Sequence, residues 1–416
     1  MKNYYTISEV ADLLGKNKET IRRWDRAGKL SAVREPMSNY RVYHIDQLKI
    51  FDELNLISNP SVANDTVKPL GKYNVLELFA GAGGLAIGME QAGLECVALN
   101  EVDKWAAETL RINRPHWNIM EGDIRNLSFC HLAGKIDVVT GGFPCQAFSY
   151  AGKKLGLQDA RGTLFYEFAR VVTETSPSIC IGENVRGLVS HDEGRTLEGM
   201  ISILDEIGYR VLDPKILKAI HFNVPQKRER LILVGIRKDI EINFEYPKPF
   251  KTVFTLKDAL KKGNLFDSDV TVSLGAKYPK YKKEVLDLVP PGGYWRDLPL
   301  DIQKKYMQKS YYLGGGKTGM ARRISWNEPS LTLTCSPAQK QTERCHPDET
   351  RPFTINEYAR IQTFPDDWKF AGPLSSQYKQ IGNAVPVNLA KEIGLSIVSF
   401  LNEVYLSKNT IEKIAV

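Results

Sequence analysis

The sequence predicts an α/β protein built on an open sheet, with two smaller regions attached. Three observations carry that expectation. An apolar strand at residues 73–79 runs straight into a glycine turn and a helix at 85–92. Three more strand-like runs, at 95–100, 136–140 and 178–182, each end beside a residue suited to a ligand. Helical patterns lie between them, as in α/β folds.

The first 57 residues read as a separate module. Residues 7–14 have helical apolar spacing behind a serine cap, Ser8. A turn at 15–17 leads to a second helix over 18–27, ended by Gly28. Two short helices about a tight turn make a helix-turn-helix. The second carries Thr20, Arg22, Arg23 and Arg26, residue types that meet phosphates and base edges. A strand-like wing at 38–43 and a third helix from Asp46 follow. Residues 1–50 hold ten Lys/Arg against six Asp/Glu. With T-I-x-E-V-A, T-I-R-x-W and Y-R-x-Y in order, the module resembles the MerR family DNA-binding domain. It lacks the long dimerising helix that follows the wing in those regulators. The bland alternative is a helical cap that only packs on its neighbour. Residues 58–71 form a polar linker.

The main domain then begins. Gly81, Gly83 and Gly84 lie between the first strand and its helix, where a ligand can approach the backbone and the helix N-terminus. The spacing is not the G-x-G-x-x-G dinucleotide pattern. The second strand ends at Glu101, placed as an acid that accepts ribose hydroxyls. Asp123 follows Gly122 and suits an adenine amino group. The strand at 136–140 leads to Gly141, Gly142, Phe143, Pro144 and Cys145. That thiol stands at a strand's carboxyl end on a backbone stiffened by proline. It is either an activated nucleophile or a small buried hydrophobe. Polar, glycine-punctuated residues from Gln146 to Arg161 read as a mobile loop, with glycines 152, 156 and 162 as hinges. A helix over 162–171 and the strand at 178–182 bring Glu183 and Asn184 to the same sheet edge. Arg228 and Arg230, two apart on entering the strand at 231–235, are expected to point the same way.

The chain has 416 residues, 43% hydrophobic and 25% charged, with a formal net charge of +7. Six scattered cysteines form no C-x-x-C pair, no signal peptide opens the chain, and no apolar run reads as long enough to span a bilayer. These features argue against a disulfide-framed secreted scaffold and for a reducing cytoplasm. Residues 251–350 hold 17 Lys/Arg against 11 Asp/Glu with ten interleaved aromatics, a composition suited either to nucleic acid or to a solvated basic face. Cys345 and His346 have no second ligand pair at zinc spacing, so no metal is expected.

The motifs together resemble a family. F-x-G-x-G (Phe79, Gly81, Gly83), P-C-Q (Pro144, Cys145, Gln146), E-N-V (Glu183, Asn184, Val185) and Q-x-R-x-R (Gln226, Arg228, Arg230) occur in order. R-x-x-T-x-x-E-x-x-R-x-Q-x-F-P, from Arg351 to Pro365, and Q-I-G-N-A-V-P, from Gln380 to Pro386, complete the series. Residues 72–405 are similar to the bacterial DNA (cytosine-5)-methyltransferases of restriction-modification systems. Departures are mild: Glu77 stands where an aspartate is usual, Val102 where some members have tryptophan, and Ala151 where some have serine.

The resemblance implies a Rossmann-like, S-adenosylmethionine-binding domain over 72–240, completed by 351–405, with a target-recognition domain over 241–350 and a tail at 406–416. It implies Cys145 as nucleophile toward cytosine C6 and Glu183, carrying or sharing a proton, at N3. Asn184 would orient the loop, Arg230 would touch the cytosine O2, and Arg228 would brace the site. The cofactor residues would be Phe79, Gly81, Gly83, Glu101, Val102, Asp123, Ile124, Pro144, Asn383 and Val385. Gln146, Ser149, Arg161 and Thr332 would meet DNA, beside Thr20, Arg22, Arg23 and Arg26 of the N-terminal module. The target cytosine lies inside a duplex and must be flipped out. The implied partners are double-stranded DNA and a cognate restriction endonuclease, for a monomeric enzyme. A DNA-binding transcription regulator and an RNA cytosine-5 methyltransferase are the competing readings; the first leaves Cys145, Glu183 and the arginines unexplained, and the second lacks its Cys-Phe-Thr signature here.

Overall fold

The computed structural model describes residues 4–14, 16, 18–35, 40–48, 51, 67–144, 163–314 and 317–414. The chain forms two compact units. One contains residues 64–217, 229–247 and 367–416; the other contains 1–63, 218–228 and 248–366.

Along the chain, the N-terminal module holds β1 (Tyr4–Thr6), α1 (Ile7–Leu13), α2 (Lys18–Arg26), β2 (Val33–Arg34), β3 (Arg41–His44) and α3 (Ile45–Leu48). Next come β4 (Asn74–Leu78), α4 (Gly84–Gln91), β5 (Glu95–Glu101), α5 (Lys104–Asn113), β6 (Ile119–Glu121) and β7 (Val138–Gly141). They are followed by α6 (Leu164–Thr175), β8 (Ile179–Val185), α7 (Arg195–Glu206), β9 (Tyr209–Val211), β10 (Lys215–Lys218), β11 (Gln226–Lys227) and β12 (Glu229–Arg237). The remainder holds α8 (Leu256–Leu260), α9 (Lys280–Asp287), α10 (Leu300–Met307), β13 (Ser330–Leu331), α11 (Ile355–Ile361), α12 (Leu374–Asn383) and α13 (Val387–Ile414).

The first unit is organised by an eight-stranded sheet in the order β10-β12-β8-β7-β4-β5-β6, with β9 on β12. Strands β8, β7, β4, β5 and the edge strand β6 are parallel, whereas β12 is antiparallel to β8. Parallel strands covered on both faces read as continuous apolar runs, which is why 136–140 and 178–182 were legible. Phe79, just past β4, takes φ +57, and Gly81 and Gly83 take φ +56 and +83. The tight turn therefore combines two glycines with one side-chain residue held in the left-handed region. Helix α13 packs on α4. Gln380 ties α12 to α5 by accepting from Thr109 Oγ1 at 2.6 Å, so the C-terminal helices belong to this unit. The stretch Leu374–Asn409 is long and apolar enough to cross a membrane by length and composition, contrary to the expectation that no run would be. Its apolar window is 83% buried inside the protein, which makes it a core element.

In the second unit, the N-terminal module has its own small core of Val10, Ala11, Leu14, Ile21, Leu30, Tyr43 and Leu48. Its first helix is capped by Thr6, not by Ser8, which lies inside the first turn. Thr6 Oγ1 accepts from the Glu9 N–H at 3.3 Å, and Glu9 returns the bond to the Thr6 N–H at 2.7 Å. The two bonds form a reciprocal capping box. The rest of the unit packs a second core around Trp295, Tyr306 and Met307.

Candidate active site

The site in the first unit grows from the carboxyl ends of β4, β5, β7 and β8, where an open α/β sheet presents its loops. These ends open into one cavity of about 610 Å³. It is lined by Phe79, Gly81, Glu101, Val102, Asp123, Ile124, Pro144, Glu183, Asn184, Arg230, Asn383 and Val385, all expected from the sequence.

One end of the cavity carries Glu183, which is 8% exposed. Its Oε1 lies 2.5 Å from Arg230 Nε, an ion pair in which that oxygen accepts no well-directed hydrogen bond. The facing backbone is Gly142, where a Cβ would stand 3.0 Å from Glu183 Oε2. Any larger residue would press on the carboxylate. Asn184 Nδ2 donates to the Phe143 carbonyl at 2.9 Å and Asn184 Oδ1 accepts from the Val185 N–H at 2.8 Å. It thereby couples the end of β8 to the backbone two residues before Cys145. Phe143, Phe165 and Phe168 pack edge-on and stacked behind that backbone. Cys145, Gln146, Ser149 and Arg161 lie outside the described residues.

The other end carries Glu101, 7% exposed. Its Oε2 accepts from the Gly81 N–H at 2.6 Å, and Oε1 accepts from the N–H groups of Val102 and Asp103 at 2.9 and 2.7 Å. Burial raises its pKa despite those three donors. Asp123 is different. It sits at the cavity mouth, paired with Arg125, whose guanidinium holds its pKa down to about 2. Val102 is 66% exposed above the cavity.

Arg228 and Arg230 part company. The strand is interrupted between β11 and β12, so the alternation that would aim both side chains alike is broken. Arg230 meets Glu183, whereas Arg228 belongs to the other unit, 1% exposed, with Nη1 donating to the Leu333 carbonyl at 3.4 Å. Gly83 does not line the cavity; a Cβ there would lie 2.7 Å from Leu110, so it serves close packing. Thr332 spends its hydroxyl on the Lys227 carbonyl at 2.6 Å, beside the parallel pair β11–β13. On α2, Arg22, Arg23 and Arg26 are exposed. Glu19 pairs with Arg22 and Arg26, at 3.2 and 2.5 Å, and Thr20 is half-buried.

A strand-end carboxylate and its arginine, beside the strand that leads into P-C-Q, share a cavity with a second strand-end acid that accepts from the glycine turn. The family model for C-5 cytosine-specific DNA methylases matches residues 73–399. The chain belongs to that family. It is a DNA (cytosine-5)-methyltransferase. The E. coli type II methyltransferase M.Eco47II is 59% identical over 406 residues, covering 97% of each chain. M.PspPI of Psychrobacter sp. (strain TA137) is 55% identical over 403 residues, covering 96% of this chain and 97% of its own. A solved structure, a putative DNA modification methyltransferase encoded within an E. coli prophage, has the same fold. Its TM-score is 0.62 at 23% identity, over 80% of this chain and all of that one. Residues 6–43 match the model for MerR family regulatory proteins.

Six polar residues that line the methyltransferase cavity were not among the sequence-derived site residues: Glu77, Asn100, Asp103, Arg125, Lys379 and Gln380. Lys379 pairs with Asp103 at 2.9 Å, a link across 276 positions that no local pattern signals. Glu77 was visible only as a departure from the usual aspartate.

Proposed function

We propose that the chain is the modification enzyme of a type II restriction-modification system, and that it uses S-adenosylmethionine to methylate a flipped-out cytosine within a short duplex sequence. The observation that carries this reading is the Glu183–Arg230 pair beside a strand end that Asn184 ties down, two residues before Cys145. Cytosine C5 is too weak a nucleophile to take a methyl group unaided. Addition of the Cys145 thiolate at C6, with Glu183 supporting a proton at N3, makes C5 an enamine carbon. After C5 is methylated, a base removes its proton and the C6–S bond breaks, restoring the aromatic ring and the thiolate. Arg230 pairs with Glu183 and, as the family resemblance implies, would touch the cytosine O2.

S-adenosylmethionine, when bound, supplies the methyl group as an electrophile. The residues fit it: Glu101 is a fixed acid for ribose hydroxyls, Asp123 a charged acceptor for an amino group, and Phe79 and Val102 apolar cover for adenine. Phe79, Ile124, Pro144, Asn383 and Val385 complete the lining. The N-terminal module binds DNA through α2 without joining the chemistry, and its charge supplies non-specific affinity. The partner proteins are a nearby-encoded restriction endonuclease and no second copy of this chain.

The reading is tested by transfer of labelled methyl groups from S-adenosylmethionine to duplex DNA, with transfer RNA as the rival substrate. Incorporation at cytosine C5 in one short duplex sequence supports it. Labelling of transfer RNA alone would favour the RNA enzyme.

A further inference from the structure

The N-terminal module runs on in sequence into the sheet unit, yet its packing places it in the other unit, with residues 218–228 and 248–366. A side-chain contact marks the junction. Lys18 opens α2, and its Nζ lies 3.8 Å from Glu328 Oε1. Glu328 stands two residues before β13 and is fixed from behind. Its Oε2 accepts from Arg322 Nη2 at 3.3 Å, and its backbone carbonyl accepts from the Leu256 N–H at 2.9 Å. Arg322 is anchored in turn, with Nη1 donating to the Gly292 carbonyl at 2.7 Å. One oxygen of Glu328 is thus spent on its own segment, and the other faces the module.

Lys18 shares a face of α2 with Arg22 and Arg26, which follow it at i+4 and i+8. A helix-turn-helix reads base edges with the N-terminal end of its second helix, and Lys18 is that end. Arg22 and Arg26 pair within the helix, with Glu19, and keep 50% and 68% of their side chains exposed. Lys18 pairs outside the helix, with the segment that leads into β13. The contact therefore covers the first turn of the basic face and leaves its later turns open. An exposed ion pair contributes little by itself. Here both partners belong to one chain, so the module is always at high local concentration and a weak contact is enough to bias where it rests.

Resting on the reading that the module binds DNA through α2, we propose that Glu328 is a docking site for that helix. Its carboxylate takes Lys18 in place of a DNA phosphate, holds the first turn of α2 against this unit, and makes duplex DNA compete for the reading end of the helix. The docked module keeps its exposed arginines for sequence-independent contact. Its reading end becomes available only when the Lys18–Glu328 pair opens.

Two measurements on the full chain test this. A zero-length carbodiimide couples an amine to a carboxylate in contact with it. At low salt it should join Lys18 to Glu328, with Lys283 and Asp287, 2.9 Å apart in the same unit, as the internal standard. Absence of the Lys18–Glu328 product while the standard forms overturns the docking site. The second measurement is a double-mutant cycle on affinity for a duplex of arbitrary sequence. Lys18→Gln alone should change that affinity less than about twofold, because Glu328 already engages the amine. Glu328→Gln, which keeps an oxygen for Arg322, should tighten the duplex severalfold and steepen the plot of log affinity against log salt by about one. Adding Lys18→Gln to Glu328→Gln should remove that gain. Melting curves of the three variants confirm that each is folded. An equal effect of Lys18→Gln with and without Glu328 overturns the competition. A salt dependence left unchanged by deletion of residues 1–66 would instead overturn the reading that the module binds DNA at all.

Discussion

The two units use charge in opposite ways. In the sheet unit, charged side chains at strand ends and on α12 line one cavity, where Glu101, Glu183, Arg230 and Lys379 remain in reach of a ligand. In the other unit, several cations are consumed internally. Arg323 is 5% exposed and donates to the carbonyls of Leu286, Val289, His346 and Pro347 and to Thr350 Oγ1. Arg344 holds the Thr332 carbonyl, and burial lowers its pKa to about 10. Lys282 is buried against Glu343 at 2.7 Å, and Tyr306 bonds the same carboxylate. The surplus of six positive charges over 251–350 therefore overstates what that segment offers to phosphates. Net charge describes a surface only after buried pairs and carbonyl clamps are removed from it.

That contrast can be broken by mutation. The largest effect is expected from Cys145→Ser, whose hydroxyl is a far weaker nucleophile. Methyl transfer measured with labelled donor should fall below about 1% of the parent rate, with folding and cofactor affinity retained. Arg323→Leu comes next. Removing the guanidinium orphans four carbonyls and should destabilise this second unit by about 3 kcal/mol or more in thermal or urea unfolding. An unchanged melting curve with weaker DNA binding would show that Arg323 faces DNA and not the core. Glu101→Gln should weaken S-adenosylhomocysteine by about 1–3 kcal/mol in calorimetry. Asp123→Ala should weaken it less, because this carboxylate is already engaged by Arg125 in solvent. A larger loss at Asp123 than at Glu101 would reverse the ranking of buried against exposed acids. The smallest effect concerns the N-terminal module. Removing residues 1–66 should leave the methylated sequence unchanged while flattening the salt dependence of DNA binding. Arg22 and Arg26 already share Glu19, so the slope should change by less than four phosphate contacts would give. A changed target sequence would place the module in target recognition.

Much of the sheet unit was legible because its rules are local. Buried parallel strands are apolar throughout and ligands meet them where they end, so Glu101, Asp123, Glu183 and Asn184 were expected from position, and all four line the cavity. Arg228 and Arg230 show where locality fails: two-residue spacing aligns side chains only while the strand continues, and here it breaks between Lys227 and Glu229. The cap at Thr6 was missed because the returning Glu9 carboxylate, not the serine nearest the helix, decides the box. Glu77 was legible as an unusual residue but not as a buried acid without a partner. That depends on α4, β5 and β7 closing around it, which is a property of the fold.

Residues after 66 are proposed to form a DNA cytosine methyltransferase that acts through Cys145. The most direct test maps 5-methylcytosine across the genome of a host expressing the parent chain, the 1–66 deletion or Cys145→Ser. The expected result is one short sequence fully methylated by the parent, the same sequence by the deletion variant, and no 5-methylcytosine above background with Cys145→Ser. Methylation that survives Cys145→Ser, or that appears only in transfer RNA, would contradict it.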